Sequence, residues 1–352
     1  PPNIKHSEAT FSVKKTQNGK EAIRIGLMAI KNLGEECCCS IVKTRQEGGN
    51  FKDFLDVCSR IDLETANKRC FECLIKAGAF DSLYQDMSAQ ESRAMLLANF
   101  EMLVDKANLI NKEKENASQS LFGEEIINVV GAKEVKLKPA APLSKALLLN
   151  YEKDALGIYL SGHPLAKYER YLNKLVKMKI SDIERNSIRG HVEVAGIVSR
   201  LKKRQNKNKE NWAQIVLEDE EQSIFCNIYS RTWANLNGKI NVNDIVLISG
   251  DIRGDESAAN PEIVVSSAHP LLNVFSSKAK KMFIYLSSDL AQEKLFELEN
   301  LLNAAKGFCE VELILKEGEN QTRIHTPKRI MIHKALVDFI DDNYPLISWD
   351  FE

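Results

Sequence analysis

His191-Val-Glu-Val-Ala-Gly-Ile-Val-Ser-Arg200-Leu-Lys-Lys-Arg-Gln-Asn-Lys-Asn-Lys-Glu210-Asn-Trp-Ala-Gln-Ile-Val216 opens the stretch, running on to Ser266, whose reading decides the fold. Val192, Val194, Gly196 and Val198 repeat at period two, as do Trp212, Gln214 and Val216, then Ile224, Cys226 and Ile228. Val246 with Ile248 and Ile263 with Val265 continue the pattern, which describes half-buried strands joined by turns. Arg200, Lys202, Lys203, Arg204, Lys207 and Lys209 place six cations between the first two strands, with no acid until Glu210. That segment is too polar to bury. Five short strands, a long basic loop after the first and an acidic turn Glu218-Asp219-Glu220-Glu221 after the second predict an OB-type barrel. Barrels of that type bind single strands through the strand face and first loop. A charge run alone equally describes a solvated hairpin tip. Trp212, Phe225 and Tyr229, which could stack bases, favour nucleic acid.

The 352 residues suffice for two to four domains, and a hydrophobic share of 44% with 28% charge marks a globular chain. Net charge is −1, so any nucleic-acid contact must come from local basic patches. No apolar run approaches the ~18 residues of a membrane span. Pro1-Pro2-Asn3 has neither an initiator Met nor a signal peptide's charged and apolar regions, which suggests the cut edge of a longer protein. The eight cysteines include Cys37-Cys38-Cys39 and a Cys70-x-x-Cys73 pair, but no second pair or histidines follow at zinc-finger spacing. Most fall in apolar-periodic helices and read as small core residues of a reducing compartment, the cytoplasm, with no metal.

Outward from the barrel, residues 1–25 read as the tail of a preceding fingers-like domain, with strands around the turn Asn18-Gly19. Residues 26–110 read as an all-α tandem helix-hairpin-helix region. Its first turn is Lys31-Asn32-Leu33-Gly34 and its second Lys76-Ala77-Gly78 before Ala79. In such turns backbone N–H groups and the second helix's N-terminus face a phosphate, and glycine allows close approach. Asn32 takes a left-handed conformation more cheaply than most residues. Glycine between helices also serves simply as a cap. Phe51, Phe54, Leu55, Val57 and Ile61 form a helical core stripe.

Residues 111–142 read as a linker with one apolar anchor, Leu121-Phe122, which docks either on a neighbouring domain or in a partner's pocket. Residues 143–190 form a helical connector in which His163, beside Pro164, has no acid or nucleophile at catalytic spacing. The barrel takes 191–270. Residues 278–352 follow the order βαββαβ, a split-βαβ interaction domain with no chemistry of its own. The fold class is therefore multidomain α+β.

Gly26-Leu-Met-Ala-Ile-Lys-Asn-Leu-Gly34, Gly48-Gly-Asn-Phe51 with Phe54, Asn67-Lys-Arg69, Leu74-Ile-Lys-Ala-Gly-Ala-Phe-Asp81 and Glu152-Lys-Asp-Ala-Leu-Gly-Ile-Tyr-Leu-Ser-Gly-His-Pro-Leu165 closely resemble the alpha-subunit family of bacterial DNA polymerase III. The match is specific through residue 165, weaker over the barrel and faint near Pro327-Lys-Arg329. The resemblance implies the carboxyl-terminal portion of a C-family DNA-directed DNA polymerase. Tandem hairpins would hold duplex DNA, the barrel would lie near single-stranded template, and the last domain would engage the clamp-loader tau subunit. A Gln-x-x-Leu-Phe peptide tethers the sliding clamp in that family; here Gln119 stands one residue closer to Leu121 and Phe122. The family usually has Gly at the place of Asn32. Its catalytic palm, with carboxylates holding Mg²⁺, should lie upstream, because no such acidic set occurs here. This segment is expected to need no cofactor and to be inactive alone. The rival readings are a stand-alone hairpin and OB nuclease or ligase, and a protein scaffold that never meets DNA.

Overall fold

Side-chain caps start the helices of the first part of the chain. Asp53 accepts from the Asp56 N–H, Asn67 from Cys70 and Ser144 from Leu147. The computed structural model describes all residues except 16–18, 20, 63–65, 118–136, 187, 254–260, 305 and 319, and omits the side chains of 113–117, 174 and 184. It divides into two compact units, Pro1–Gly162 and His163–Glu352.

In the first unit β1 (Ser12–Lys15) and β2 (Glu21–Arg24) pair antiparallel. Then follow α1 (Glu35–Gly48), α2 (Phe54–Arg60), α3 (Lys68–Lys76), α4 (Ala89–Ala117) and α5 (Lys145–Leu156). Phe54 centres the core, meeting Phe71 and Phe80 edge-on at 5.7 and 5.0 Å. Residues 1–10 belong to this same core: Ile4 is fully buried, its N–H bonds the Ala79 carbonyl, and Arg45 donates to the carbonyls of Ile4 and Ser7.

Two helices expected beside the glycine turns shrink to single 3₁₀ turns, Leu27–Ala29 and Asp81–Leu83. For the first, tertiary bonds take the backbone, since the N–H groups of Leu27 and Met28 donate to Glu8 and Ala9. The segment 143–190, expected as a connector, gives α5 and the turn through Gly162 to the first unit and the residues from His163 on to the second.

The second unit starts with α6 (Glu169–Leu175) and α7 (Ile180–Arg185). The barrel is built from β3 (Gly190–Gln205), β4 (Asn211–Glu218), β5 (Ser223–Ile228), α8 (Ser230–Leu236), β6 (Ile245–Arg253) and β7 (Glu262–Pro270). It closes in the order β3-β4-β5-β7-β6, with β5 and β7 parallel and every other pairing antiparallel. That is the five-stranded OB topology. Val194, Ile215, Cys226, Ile248 and Ile263 point inward, with Trp233 of α8 and Ile183 of α7 in the same core.

The expected long basic loop is instead strand. β3 runs to Gln205, and Arg200, Lys202, Lys203 and Arg204 pair with Val216, Gln214, Ala213 and Trp212. Only Asn206–Glu210 turns, because the Asn206 carboxamide accepts the N–H groups of Asn208 and Glu210 and closes the hairpin tightly.

The last part comprises α9 (Leu271–Lys278), β8 (Lys281–Ser287), α10 (Gln292–Ala304), β9 (Lys306–Glu317), β10 (Asn320–Ile330), α11 (Lys334–Asp342) and β11 (Ile347–Phe351). The order βαββαβ holds, but the βαβ is not split. The sheet runs β10-β9-β8-β11, with β8 and β9 directly adjacent and parallel. The β9–β10 hairpin carries β10 to the edge, so no strand enters between β8 and β9. No helix among the described residues is long and apolar enough to cross a membrane.

Candidate nucleic-acid interface

The alternation that buries one side of β4 and β5 turns their other residues outward. Ala213, Ile215, Leu217, Ile224, Cys226 and Ile228 fill the barrel, which leaves Trp212, Gln214, Val216, Phe225 and Asn227 on the opposite face. A register shift between Val198 and Arg200 brings the cations onto that face. Arg200 stands opposite Val216, Lys202 opposite Gln214 and Arg204 opposite Trp212, while on β5 Phe225 partners Val216 and Asn227 partners Gln214. The result is one exposed surface of three cations and two aromatics. Tyr229, just past β5, adds a third ring 6.1 Å from Trp212.

Hydrogen bonds hold this surface in place. The Arg204 guanidinium lies 5.5 Å over the Trp212 ring and donates to Gln214 Oε1 at 3.2 Å. Gln214 Nε2 donates to Asn227 Oδ1 at 3.1 Å, and Asn227 Nδ2 to Glu262 Oε2 at 2.6 Å. Phe225 and Tyr229 remain 41% and 45% exposed, open to a stacking partner. The sequence reading overlooked Gln214, Asn227 and Glu262, although Gln214 shares strand parity with Trp212. Glu262 adds a negative charge beside β5, so an anionic backbone fits best along β3 and β4.

Three further candidates separate from this surface. Lys203 belongs to the other parity, with its ammonium 5.9 Å from the Trp233 ring. Lys207 and Lys209 sit at the exposed hairpin tip, where Lys209 has φ +60°.

In the first unit the two glycine turns prove physically different. In Lys31-Asn32-Leu33-Gly34, Asn32 is exposed with φ +66°, and Gly34 is the N-cap of α1 with φ −73°. A Cβ on Gly34 would meet nothing within 4 Å. Neither backbone conformation nor packing among the described residues requires glycine there, and the turn leaves room for a close approach from outside. The cap supplies no side-chain acceptor, so the first N–H groups of α1 point outward. Glu35 and Glu36 in the first turn work against an anion. Leu33 is a core residue, and the Lys31 ammonium is drawn to the Lys153 carbonyl at 3.4 Å. Cys70 Sγ donates to the Asn32 carbonyl, and Asn32 Nδ2 donates to Cys73 Sγ, so this Cys-x-x-Cys pair fixes the turn.

The second turn is a helix cap, which removes Ala77 and Gly78 from the interface. Ala79 N–H bonds the Leu74 carbonyl and Gly78 N–H the Ile75 carbonyl, a Schellman closure that needs Gly78 at φ +79°. Ala77, Gly78 and Ala79 are buried, and a Cβ on Gly78 would lie 2.2 Å from the Arg93 guanidinium. Arg93, itself buried, donates to Asp81, to Glu152 and to the Lys76 carbonyl. Burial raises the Asp81 carboxyl above its usual range against the pull of that guanidinium. The Lys76 ammonium pairs with Glu72 at 2.7 Å. The clamp-peptide residues Gln119, Leu121 and Phe122 lie outside the described residues.

Fold and surface define a multidomain protein that joins a helix-hairpin-helix unit to an OB barrel. Residues 1–90 match the helix-hairpin-helix motif family. The DNA polymerase III alpha subunit of Pseudomonas aeruginosa is 28% identical over 322 residues, 89% of this chain and 27% of that one. That of Campylobacter jejuni is 33% identical over 230 residues, 65% of this chain and 18% of that one. A single-stranded DNA binding protein, SSBb of Mycobacterium smegmatis, is similar in structure over 24% of this chain and 89% of its own, at 11% identity and a TM-score of 0.21. The chain is a relative of the bacterial DNA polymerase III alpha subunits, over a C-terminal portion of them. It spans under a third of the length of the relatives it matches, which for the two named here is 27% and 18%.

Proposed function

We propose that this chain is the DNA-holding and partner-binding portion of a replicative DNA polymerase. The observation that carries this reading is the outward face of β3, β4 and β5, where Arg200, Lys202 and Arg204 stand beside Trp212, Phe225 and Tyr229. Cations take the phosphates of a single strand while the rings stack its bases. Such contacts give affinity without sequence preference, falling steeply with salt. The open turn at Gly34 holds the backbone of a duplex, and the capped turn at Gly78 contributes rigidity to the unit.

In this reading the chain makes no DNA by itself. The Mg²⁺-dependent nucleotidyl transfer belongs to a palm elsewhere in the parent polymerase, and this portion supports processive synthesis. The sliding clamp, through Gln119, Leu121 and Phe122, and the clamp-loader tau subunit, through the last domain, are its protein partners. Kinship with the alpha subunits supports both roles.

The test measures binding of the chain to an oligo(dT) and to a primer–template at two salt concentrations, before and after Arg200→Glu, Lys202→Glu and Arg204→Glu together. Three lost phosphate contacts should lower the single-strand salt slope by about 2, roughly 0.7 for each. Unchanged single-strand binding refutes the barrel reading and leaves a protein scaffold. DNA synthesis by the chain alone with Mg²⁺ refutes the division of labour.

A further inference from the structure

The four-stranded sheet of the second unit packs its helices against one side. Met282, Ile284, Leu286, Val311 and Leu313 enter a core with Phe275 of α9, Leu298 and Leu302 of α10, and Leu336, Val337 and Ile340 of α11. Residues of the opposite parity lie outside that cluster. Their register aligns Asp350, Phe283, Glu312 and His325 across the four strands, and Ser348, Tyr285, Ile314 and Arg323 beside them. Two aromatic residues, Phe283 and Tyr285, thus stand half-buried on β8, a central strand, on the side away from that core.

Cations surround these rings. The Lys316 ammonium lies 4.4 Å from the Tyr285 ring and that of Lys281 5.9 Å from Phe283. Glu312, 3% exposed, gathers Lys281 at 3.2 Å, His325 at 3.8 Å and Arg323 at 4.0 Å, and its Oε1 has no hydrogen bond. Arg329 pairs with Glu310 at 2.8 Å, and Asp350 with Arg170 at 2.7 Å. Lys281, Lys316, Arg323 and Arg329 therefore outnumber Glu310, Glu312 and Asp350 by four to three on this face. A groove of about 310 Å³ on the same sheet is lined by Lys281, His325, Lys328 and Arg329 together with Glu310 and Glu312.

We propose that this open sheet face is a second platform for single-stranded nucleic acid, independent of the barrel. Tyr285 and Phe283 stack bases while Lys316, Arg323 and the groove take phosphates. Stacking on a sheet-borne aromatic is tolerant of sequence because every base has a π-face, and the net positive charge suits a polyanion. An acidic protein surface would satisfy the charges but has no use for two rings set between them.

The experiment photo-cross-links an oligo(dT) to the full chain in which the barrel face has already been altered by Trp212→Ala and Arg204→Glu. Cross-links are expected in the tryptic peptide Met282–Lys294, which contains both rings. In that background Tyr285→Ala with Lys316→Glu should weaken the remaining binding roughly tenfold, the value of one lost stack with one lost phosphate. Tyr285→Phe should retain it. Lys316→Glu with Arg323→Glu, both exposed positions, gives a second variant should the tyrosine substitution unfold the domain. Cross-links confined to barrel peptides, or affinity unchanged in the charge-reversed variant, overturn the proposal and leave the face to a protein partner.

Discussion

Glu152 is fully buried, and its substitution tests how the first unit is held together. Its carboxylate accepts from the backbone N–H groups of Leu160 and Ser161 at 3.1 and 2.8 Å, from the Ser161 hydroxyl and from Arg93 at 3.3 Å. Arg93 in turn caps the Lys76 carbonyl and fills the space beside Gly78. Glu152→Ala removes one member of a buried ion pair, which typically costs about 3–5 kcal/mol. Asp81 stays on Arg93 at 2.7 Å and limits the electrostatic part, while the three orphaned donors around residues 160 and 161 add to it at about 1–3 kcal/mol each where water cannot reach them.

A loss of about 4 kcal/mol, with a urea slope of about 2 kcal/mol/M, lowers the unfolding midpoint of this unit by roughly 2 M. Urea titration followed by circular dichroism reads that shift. Glu152→Gln keeps an acceptor but turns an NH₂ toward the donors, so its midpoint should fall between the two. A shift below about 0.5 M for Glu152→Ala, at unchanged slope, would refute the view that this carboxylate ties α5 and the Ser161 turn to the second glycine turn.

Gly78→Ala should cost at least about 2 kcal/mol from left-handed strain and the clash with Arg93, whereas Gly34→Ala should change stability by no more than about 1 kcal/mol yet weaken primer–template binding. Equal effects on stability would erase the distinction between the two turns. Alkylation at pH 8 should modify Cys39 alone in the native chain, because the other seven thiols are buried and burial pushes Cys37 up to about 12 and Cys38 to about 11. Peptide mapping with a second native site labelled at the same rate would contradict this. Burial also pushes the Tyr168 phenol from 10.0 up to about 12, so the folded state favours its neutral form. That stabilisation is fully present below about pH 10 and is lost as the pH rises toward 12, at about 1.4 kcal/mol for each pH unit. Tyr168→Phe should flatten this part of the alkaline stability curve, and identical curves for the two proteins would rule it out.

Much of the architecture was legible as periodicity. Alternation at period two marked the barrel strands, since burial of one strand face imposes it, and the helical stripe through Phe54 marked the first core for the same reason. Turn chemistry was legible where one residue decides the backbone, as with Asn32 at φ +66°. The extent of β3 was not, because past Leu201 the strand from Lys202 to Gln205 is polar on both faces as the hairpin leaves the barrel. A polar run reads as loop until cross-strand partners supply its hydrogen bonds.

The sequence by itself determined the inward residues of β3, β5, β6 and β7 and the presence of cations and aromatics in one hairpin, whereas on β4 the repeat it marked, Trp212, Gln214 and Val216, proved to be the outward set and Ala213, Ile215 and Leu217 the buried one. Only tertiary structure decided that Arg200, Lys202 and Arg204 share a face with Trp212 and Phe225 while Lys203 does not, because a bulge resets strand parity. It also decided that one glycine turn is open and the other closed. Both turns carry similar residues, but Arg93 and Glu152, distant in sequence, join Asp81 around Gly78, and among the described residues nothing comes within 4 Å of a Cβ placed on Gly34. Local sequence fixes backbone preference, whereas access to a site depends on which remote side chains arrive there.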